Sequence, residues 1–436
     1  MNATQPDYLQ LMNTLGLRLE TFESRTPGEV RIFTCGPSTY RRPHIGNYRS
    51  FLYEDLLVRY LEYLGFRVLR VINFTDVEDK TLSEAVEQGE SVGSVTGRVQ
   101  ERFFEEADLL RLKLPDEIPR ATTSVDTAVE IIEALTAKGY AYRHDGKYYF
   151  DASRVKGFGR LYGLDTSRWP NRRVRFGRDT YEGRRWNLGD FVLWHGVEAG
   201  GVMPEGSSWD TAIGSGRPSW NVQDPAMIVA NLGPQIDIQC GGIDNLFRHH
   251  DYNIAVMEAY SGREFARYFL HGEHLIVDGE VMSKSKGNVL YTEHVLHEGY
   301  EPHHLRYFLM HEHYRAKLNF TWDAMAQVAR WIDRLREVVS GFVDGSAEER
   351  SSAGEDGATG GSTAERQTGQ AMSDGPAATL RSAFESAMNH DLSAGRALSA
   401  VFDELSRIDP NALSSADRRE LVDTIARIDS VVDVLR

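Results

Sequence analysis

The chain has 436 residues, of which 41% are hydrophobic and 26% are charged, a composition typical of a soluble globular protein. This composition excludes a disordered, fibrous or membrane-spanning chain. A chain of this length normally exceeds what one hydrophobic core supports, so we expect about two or three domains. The net charge of −15 opposes association with a polyanion unless a local basic patch provides the contact.

Cysteine usage and the N-terminal residues bear on the cellular compartment. The two cysteines, Cys35 and Cys240, are too few for the disulfide framework of a secreted protein. The N-terminal residues lack a basic segment followed by an apolar block, and no run of about 18 apolar residues occurs. We therefore expect a cytoplasmic protein in which both thiols are reduced.

The first part of the chain alternates between strand-like and helix-like runs. VRIFTCG, from Val30, predicts a strand, YRSFLYEDLLVRYLEYLG a helix, and FRVLRVINFTD a second strand. A helix between two parallel strands predicts an open doubly wound sheet with its ligands at the carboxyl ends of the strands. The stretch CGPSTYRRPHIGN lies at such an end, and we assign residues 1–94 to the first half of a nucleotide-binding domain.

The rest of the chain divides into three further segments. Residues 95–191 predict an inserted segment of helices and connections that contains the strand-like run GKYYFDASR. Residues 192–321 return to the nucleotide fold through the strand IDIQ and the helix HHDYNIAVMEAY. Residues 322–436 predict a helical bundle, interrupted at about 345–376 by a Gly- and Ser-rich stretch that cannot bury enough apolar area to become ordered.

Two short motifs carry the chemistry. The first, PHIGN at residues 43–47, lies between a predicted strand and a predicted helix. Gly46 allows a nucleotide to approach the backbone, the helix N-terminus favours a phosphate, and His44 can donate to developing negative charge. The second, VMSKSKGN at residues 281–288, is a glycine-ended loop whose two lysines suit the neutralisation of a departing pyrophosphate. Their combination and order make the pair specific.

The two motifs resemble the HIGH and KMSKS signatures of class I aminoacyl-tRNA synthetases, which activate an amino acid with ATP to an aminoacyl adenylate. Further stretches narrow the resemblance to the cysteinyl-tRNA synthetase family and its relative, the mycothiol cysteine ligase. These stretches are FTCGPSTYRRPHIGN, YLEYLGFRVLRVINFTDVEDK, IDIQCGGIDNLFRHH, HYRAKLNFTW and FESAMNHDLSAGRAL. The resemblance implies an α/β fold, in which a Rossmann-type catalytic domain with an inserted segment precedes an α-helical bundle, and a ligase that uses ATP and Mg²⁺.

The resemblance also implies which residues form the site. The implied catalytic residues are His44, Asn47, Lys284 and Ser285. The implied ATP-binding residues are Gly36, Gly46, Gly242, Asp244, Met282, Ser283 and Lys284. The implied amino-acid pocket is formed by Cys35, Thr75, Asp76, Trp220, Asp224, His249 and Asn253.

The pocket departs from the family pattern at the positions of the implied metal. The resemblance implies a zinc ion that selects cysteine by ligating its thiolate, held by Cys, Cys, His and Glu. Cys35 and His249 match this set, whereas Asp224 stands at the second position and Asn253 at the fourth. A neutral amide is a poor metal ligand, so the substitutions argue against zinc. Cys35, Asp224 and His249 could still form a weaker remnant site, helped by His250 or Cys240.

Each departure has a purely structural alternative. Without zinc, Cys35 is simply a buried small residue, and Cys240, which replaces a glycine of the family pattern, fills space. His250 could be a core histidine with satisfied hydrogen bonds. Asp224 and Asn253 either result from drift or recognise an amino or hydroxyl group on a different substrate.

The ATP signatures are also altered. Asn47 replaces the second histidine of HIGH and Val281 the first lysine of KMSKS, whereas Lys284 is retained. We therefore expect slower adenylation, since one lost transition-state contact typically costs about 3 kcal/mol.

The expected partners are an amino acid and ATP, without a membrane, and we expect a monomer. The short C-terminal region ends in IARIDSVVDVLR, without a basic, aromatic-rich tail to stack bases, which argues against tRNA together with the charge of −15. The leading hypothesis is a diverged paralogue with altered amino acid or acceptor specificity. The alternatives are a genuine cysteine–tRNA ligase and a catalytically silent protein that binds ATP or an aminoacyl group.

Overall fold

The structure is a computed structural model that describes residues 8–115, 118–165, 179–181, 186–187, 190–197, 203–352 and 375–436. The strands are β1 (Gln10–Asn13), β2 (Arg18–Thr21), β3 (Glu29–Thr34), β4 (Arg67–Ile72), β5 (Ala141–His144), β6 (Lys147–Phe150), β7 (Asp179–Tyr181), β8 (Trp186–Asn187), β9 (Phe191–Gly196), β10 (Gly216–Pro218), β11 (Ile236–Gly242), β12 (Ala266–Gly272), β13 (Leu275–Val277), β14 (Glu280–Val281) and β15 (Leu318–Phe320). The helices are α1 (Ile45–Tyr63), α2 (Asp79–Gln88), α3 (Val92–Leu109), α4 (Val125–Ala137), α5 (Trp220–Leu232), α6 (Ile243–Asn245), α7 (Asp251–Ser261), α8 (Thr292–His297), α9 (Pro302–His311), α10 (Trp322–Ser352), α11 (Pro376–Met388), α12 (Ala394–Ser406) and α13 (Ser415–Val432).

A parallel sheet of order β12-β11-β3-β4 forms the centre of the fold. Strands of a parallel sheet are covered on both faces, which explains why six of the seven residues of β11 are buried. Helix α1 joins β3 to β4 and stops before Gly65, whose φ of 93° ends the helix at little steric cost. The predicted βαβ unit and doubly wound α/β class are therefore confirmed. Cys35, Asn73 and Gly242 lie at the carboxyl ends of β3, β4 and β11, where the site is expected.

The inserted segment contains an antiparallel sheet of order β10-β9-β6-β5. The boundary predicted at residue 191 falls on the first residue of β9, which pairs with β6 on one side and β10 on the other. The inserted sheet therefore extends to Pro218. Strands β9 and β10, which follow the predicted boundary, belong to the same sheet as β5 and β6, which precede it. Local sequence does not show this, because the pairing joins strands far apart in the chain.

The C-terminal region is helical, as predicted: α10 and α12 pack against α9, α13 packs against α1, and α11 packs against α12 and α13. The predicted irregular stretch at 345–376 is shorter at its start, because α10 continues to Ser352 through residues with good helix propensity in AEER. Helix α11 begins at Pro376, and residues 353–374 lie outside the described part of the chain. Among the described helices, none is long and apolar enough to cross a membrane.

Candidate active site

The two sequence motifs meet at the N-terminal end of α1. His44 precedes the helix, and its backbone N–H donates to Asn47 Oδ1 at 3.0 Å, which fixes the start of the first turn. A Cβ atom on Gly46 would lie 2.7 Å from the terminal methyl carbon of Met282. The second motif therefore packs directly on the glycine of the first, and a side chain at position 46 would have to displace the Met282 methyl group.

A cavity of about 400 Å³ opens between these motifs. The predicted site residues that line it are Cys35, Gly36, His44, Asn47, Gly242, Asp244, Met282 and Ser283. The polar residues Ser38, Tyr40, Arg41 and Lys80 also line it and were not predicted as site residues. Ser38, Tyr40 and Arg41 follow β3 at the carboxyl edge of a parallel sheet, a position that could have identified them, whereas Lys80 lies on α2.

The remaining residues of the second motif lie on the loop that follows β14. Ser285 is exposed, and its Oγ lies 3.2 Å from Ser283 Oγ. The side chain of Lys284 lies outside the described part of the structure. The structure thus places Met282 and Ser283 at the cavity and Ser285 close to them.

His44 is held as a neutral imidazole beside the cavity. Burial lowers its pKa, and the opposing effect of the Asp244 charge is smaller. Its Nδ1 is buried and has no hydrogen-bond partner among the described residues. A neutral imidazole can donate one hydrogen bond to developing negative charge, as the chemistry of adenylate formation requires.

Two glycines bring backbone close to polar groups of the site. Gly36 N donates to Asn73 Oδ1 at 2.9 Å, and a Cβ on Gly36 would lie only 1.8 Å from the carbonyl oxygen of Asn73. A Cβ on Gly242 would lie 2.4 Å from Asp244 Oδ1. Close packing of this kind positions the ends of β3, β4 and β11 around the cavity.

Asp224 is the centre of a cluster of the predicted pocket residues. Its Oδ2 lies 2.8 Å from His249 Nε2, 3.2 Å from Asn253 Nδ2 and 3.8 Å from Cys35 Sγ. Its Oδ1 accepts a hydrogen bond from Asn73 Nδ2 at 3.2 Å. The structure therefore brings together all four positions at which the resemblance implies zinc ligands.

The charges in this cluster stabilise one another. Burial lowers the pKa of His249, but the charge of Asp224 and its hydrogen bond outweigh burial, so the pKa is raised. Burial, and then the negative charge of Asp224, raise the pKa of the Cys35 thiol well above its ordinary value. Both shifts favour the protonated forms, a thiol at Cys35 and an imidazolium at His249 beside Asp224.

A chain of buried groups supports Cys35 from behind. Cys35 Sγ lies 3.1 Å from His250 Nε2, His250 Nδ1 lies 2.8 Å from His271 Nε2, and His271 Nδ1 lies 2.9 Å from Thr14 Oγ1. Burial lowers the pKa of His271 to about 3 and that of His250 well below its ordinary value, so both rings are neutral. His250 is therefore a core histidine with satisfied hydrogen bonds, one of the alternatives stated above.

The other predicted pocket residues surround this cluster at different depths. Trp220 is 36% exposed, and its ring centroid lies 5.3 Å from that of His249. Asp76 is buried, and both of its oxygens accept hydrogen bonds from Thr122, at 3.0 Å from the backbone N–H and 2.6 Å from Oγ1. Thr75 Oγ1 accepts from Asn73 Nδ2 at 3.4 Å. Asp76 thus orders its own loop, whereas Thr75 is linked to Asp224 through Asn73.

The four positions fit a hydrogen-bonded cluster rather than the implied zinc ion. His249 and Asn253 bond Asp224 directly, and Asn253 contributes an amide nitrogen, which is not a zinc ligand. Ligand atoms of Cys35, His249 and His250 do lie within 4.8 Å of one another. His250 already bonds Cys35 with one ring nitrogen and His271 with the other.

A parallel sheet that ends in a HIGH-like helix start and a KMSKS-like loop defines the catalytic domain of a class I aminoacyl-tRNA synthetase. Similarity to solved structures agrees with this fold. A methionyl-tRNA synthetase of Mycobacterium tuberculosis in complex with methionyl-adenylate aligns with 94% of this chain and 90% of its own at a TM-score of 0.58 and 15% identity. The Agrobacterium radiobacter K84 agnB2 LeuRS, in a ternary complex with tRNA and LeuAMS, aligns with 94% of this chain and 85% of its own at a TM-score of 0.63 and 12% identity.

Sequence comparison identifies the family. The family model described as tRNA synthetases class I (C) catalytic domain matches residues 21–330. Cysteine–tRNA ligases of Chlamydia pneumoniae and Solibacter usitatus are each 36% identical to this chain over 98% of its length, and the matches cover 86% and 87% of those proteins. The chain belongs to the cysteinyl-tRNA synthetase family. It is a ligase that forms an aminoacyl adenylate, and synthetases of this class use ATP and Mg²⁺.

Proposed function

We propose that the protein activates an amino acid with ATP and transfers it to an acceptor, with a specificity that differs from cysteine–tRNA ligation in the amino acid or the acceptor. The observation that carries the activation step is the contact of Gly46 with Met282, which joins the two motifs around one cavity beside His44. The observation that carries altered specificity is the replacement of two implied zinc ligands by Asp224 and Asn253. We expect this activity in the cytoplasm.

In the proposed reaction, a carboxylate oxygen of the amino acid attacks the α-phosphorus of ATP. A bond forms between that oxygen and phosphorus, and the bond between the α-phosphorus and the bridging oxygen breaks to release pyrophosphate. His44 donates to the negative charge that develops, and the backbone N–H groups at the start of α1 add a favourable dipole. Mg²⁺ bound to the substrate ATP would offset the charge of the pyrophosphate.

The acceptor hydroxyl or amine then attacks the acyl carbon, and AMP leaves. We propose the 3′ end of a tRNA as the first acceptor to test, because the relatives are named as cysteine–tRNA ligases. A small amine is the alternative acceptor, since the site itself shows only that an activated acyl group can form there. Charging of total tRNA with a labelled amino acid distinguishes the two.

A genuine cysteine–tRNA ligase is the second candidate. It is supported by identities of 33 to 36% to cysteine–tRNA ligases across 98% of the chain. Amino-acid-dependent exchange of pyrophosphate into ATP, measured for all twenty amino acids with and without added zinc, separates the candidates. Exchange that responds to cysteine alone and requires zinc supports the second candidate. Nucleotide binding without exchange for any amino acid would contradict both and favour a silent binding protein.

A further inference from the structure

We infer that the amino-acid pocket works without a metal ion and takes a small amino acid that carries a hydroxyl group, of which serine is the simplest. This inference rests on the proposed adenylate-forming function and names the substrate class of the same site. It follows from how the pocket satisfies its own polar groups, and from one polar group that it leaves unsatisfied.

The atoms around Asp224 lie too close together for an ion to stand between them. Nitrogen and oxygen ligands about 2.0–2.1 Å from a tetrahedral zinc ion are separated from each other by about 3.3 Å. Asp224 Oδ2 lies only 2.8 Å from His249 Nε2, a direct hydrogen bond. The carboxylate oxygen therefore lies at the centre of the cluster and takes the connecting role that an ion would have.

The atoms that would have to bind the ion are already bonded to Asp224. Asn253 directs its amide nitrogen to Asp224 Oδ2 at 3.2 Å, and the thiol of Cys35 can donate to the same oxygen at 3.8 Å. Asn73 occupies the other carboxylate oxygen. Four donors thus converge on one acidic side chain that is itself 2% exposed, which completes its hydrogen bonding without a cation.

The thiol of Cys35 is held by a chain of buried side chains. Cys35 Sγ contacts His250, which is held in turn by His271 and, through it, by Thr14. His250 and His271 are buried, and each has both ring nitrogens engaged by these contacts. A thiol supported in this way forms part of the pocket wall, where a ligand can pack against it, and recruiting it to an ion would break an ordered chain of hydrogen bonds.

The unsatisfied oxygen of Asn253 bears on the substrate. Asn253 is fully buried, and its Oδ1 has no hydrogen-bond partner among the described residues. A buried acceptor without a donor is costly, so a ligand that supplies a donor at this point gains affinity. A hydroxyl donates more strongly than a thiol, and it needs no metal to be recognised. The pocket therefore favours the hydroxyl of serine over the thiol of cysteine.

The test uses the purified full-length protein. Zinc is measured by mass spectrometry after incubation with zinc sulfate and gel filtration, and pyrophosphate exchange is measured with serine, threonine, alanine and cysteine, with and without a chelator. We expect far less than one zinc per chain, exchange that the chelator does not change, and a preference for serine over cysteine of about 10- to 200-fold. One tightly bound zinc per chain with chelator-sensitive exchange would overturn the metal-free pocket. Zinc-free exchange that favours cysteine would overturn the substrate class.

A double variant supplies the matched control. Asp224→Cys with Asn253→Glu recreates the Cys, Cys, His and Glu set, and we expect it to bind one zinc per chain and to shift preference from serine toward cysteine. Asp224→Asn, which keeps the shape but removes the charge, should bind no zinc. Thermal melting and ATP binding verify that each variant folds, and the wild-type measurements test the inference independently of them. Exchange with none of the amino acids in a zinc-free protein that binds ATP would contradict the proposed function, and the substrate class with it, while leaving the metal-free pocket supported.

Discussion

The two ends of the cavity differ in how they depart from the family pattern. At the nucleotide end, Asn47 and Val281 replace single members of two motifs, yet His44, Gly46 and Met282 still meet around one cavity. At the amino-acid end, the replaced residues Asp224 and Asn253 bond each other directly. At the nucleotide end the two motifs therefore meet despite their substitutions, whereas at the amino-acid end the substituted residues are themselves bonding partners.

The difference shows that the position of a substitution within its local network decides its consequence. Asn47 lies at an exposed helix start, where its side chain bonds backbone. Asp224 lies among buried polar groups, where one new carboxylate changes the partners of His249, Asn253 and Cys35 together. A buried polar cluster must be satisfied as a unit, so changes within it are coupled.

The largest expected effect comes from a substitution at Gly36, which lies between the nucleotide end and the amino-acid end of the cavity. Gly36→Ala would place a Cβ 1.8 Å from the carbonyl oxygen of Asn73, which is backbone and cannot rotate away. We expect a loss of several kcal/mol in the free energy of unfolding and the loss of exchange activity. Urea denaturation and pyrophosphate exchange measure the two effects.

Gly97→Ala is the matched control for that variant. Gly97 lies inside α3, and an added Cβ would meet no heavy atom of the described structure within 4 Å. Alanine should stabilise the helix by about 0.5–1 kcal/mol and leave exchange unchanged. Equal behaviour of the two alanine variants would show that the contact between β3 and β4 does not hold the site together.

A variant at the nucleotide end should separate catalysis from pocket selectivity. His44→Ala removes a donor to the developing charge, so we expect kcat for exchange to fall about 10²- to 10³-fold. The ratio of serine to cysteine activation should stay constant, because His44 is not among the residues that contact Asp224. A changed ratio would show that the two ends of the cavity are coupled through the substrate.

Glu54 provides a test of the buried charges below the cavity. It lies on α1, and its negative charge raises the pKa of both Cys35 and Cys240. Burial raises the pKa of Glu54 to about 8, against the opposing effect of Arg70 at 3.4 Å. Between pH 4.5 and about pH 8, Glu54 keeps a proton in the folded protein that it has lost in the unfolded chain. Stability from this group is present below pH 4.5 and is lost as the pH rises toward 8.

We therefore expect the wild type to lose about 2–3 kcal/mol between pH 6 and pH 8 relative to Glu54→Gln, whose side chain stays neutral. Urea denaturation of both proteins at the two pH values measures the difference. Parallel pH profiles would mean that Arg70 keeps Glu54 ionised in the folded protein.

The sequence predicts the parallel sheet well, because β3, α1 and β4 are local and each has its own periodicity. It predicts the inserted sheet poorly, since β6 pairs with β9 across a long stretch of chain. The resemblance names four positions whose side chains lie together in the structure, with Asp224 contacting the other three. Neither periodicity nor resemblance indicates Asn73, which follows β4 and bonds Asp224 on α5. The chain from His250 to Thr14 is not indicated either, because its contacts arise only when β12 lies beside β11 and β1 packs against β12.

The smallest expected effect concerns Asn47, which can either cap α1 or contact ATP. In the structure Asn47 Oδ1 accepts from the backbone N–H of His44 at 3.0 Å, so the side chain stabilises the helix start. Asn47→Ala should therefore cost about 1 kcal/mol in the free energy of unfolding and reduce exchange only a few-fold. Asn47→Asp keeps the acceptor and should retain wild-type stability, while its charge near the phosphates raises KM for ATP. A stability equal to that of Asn47→Ala would show that the amide nitrogen, and not the oxygen, is the important group, and would place Asn47 with the ATP contacts at the nucleotide end.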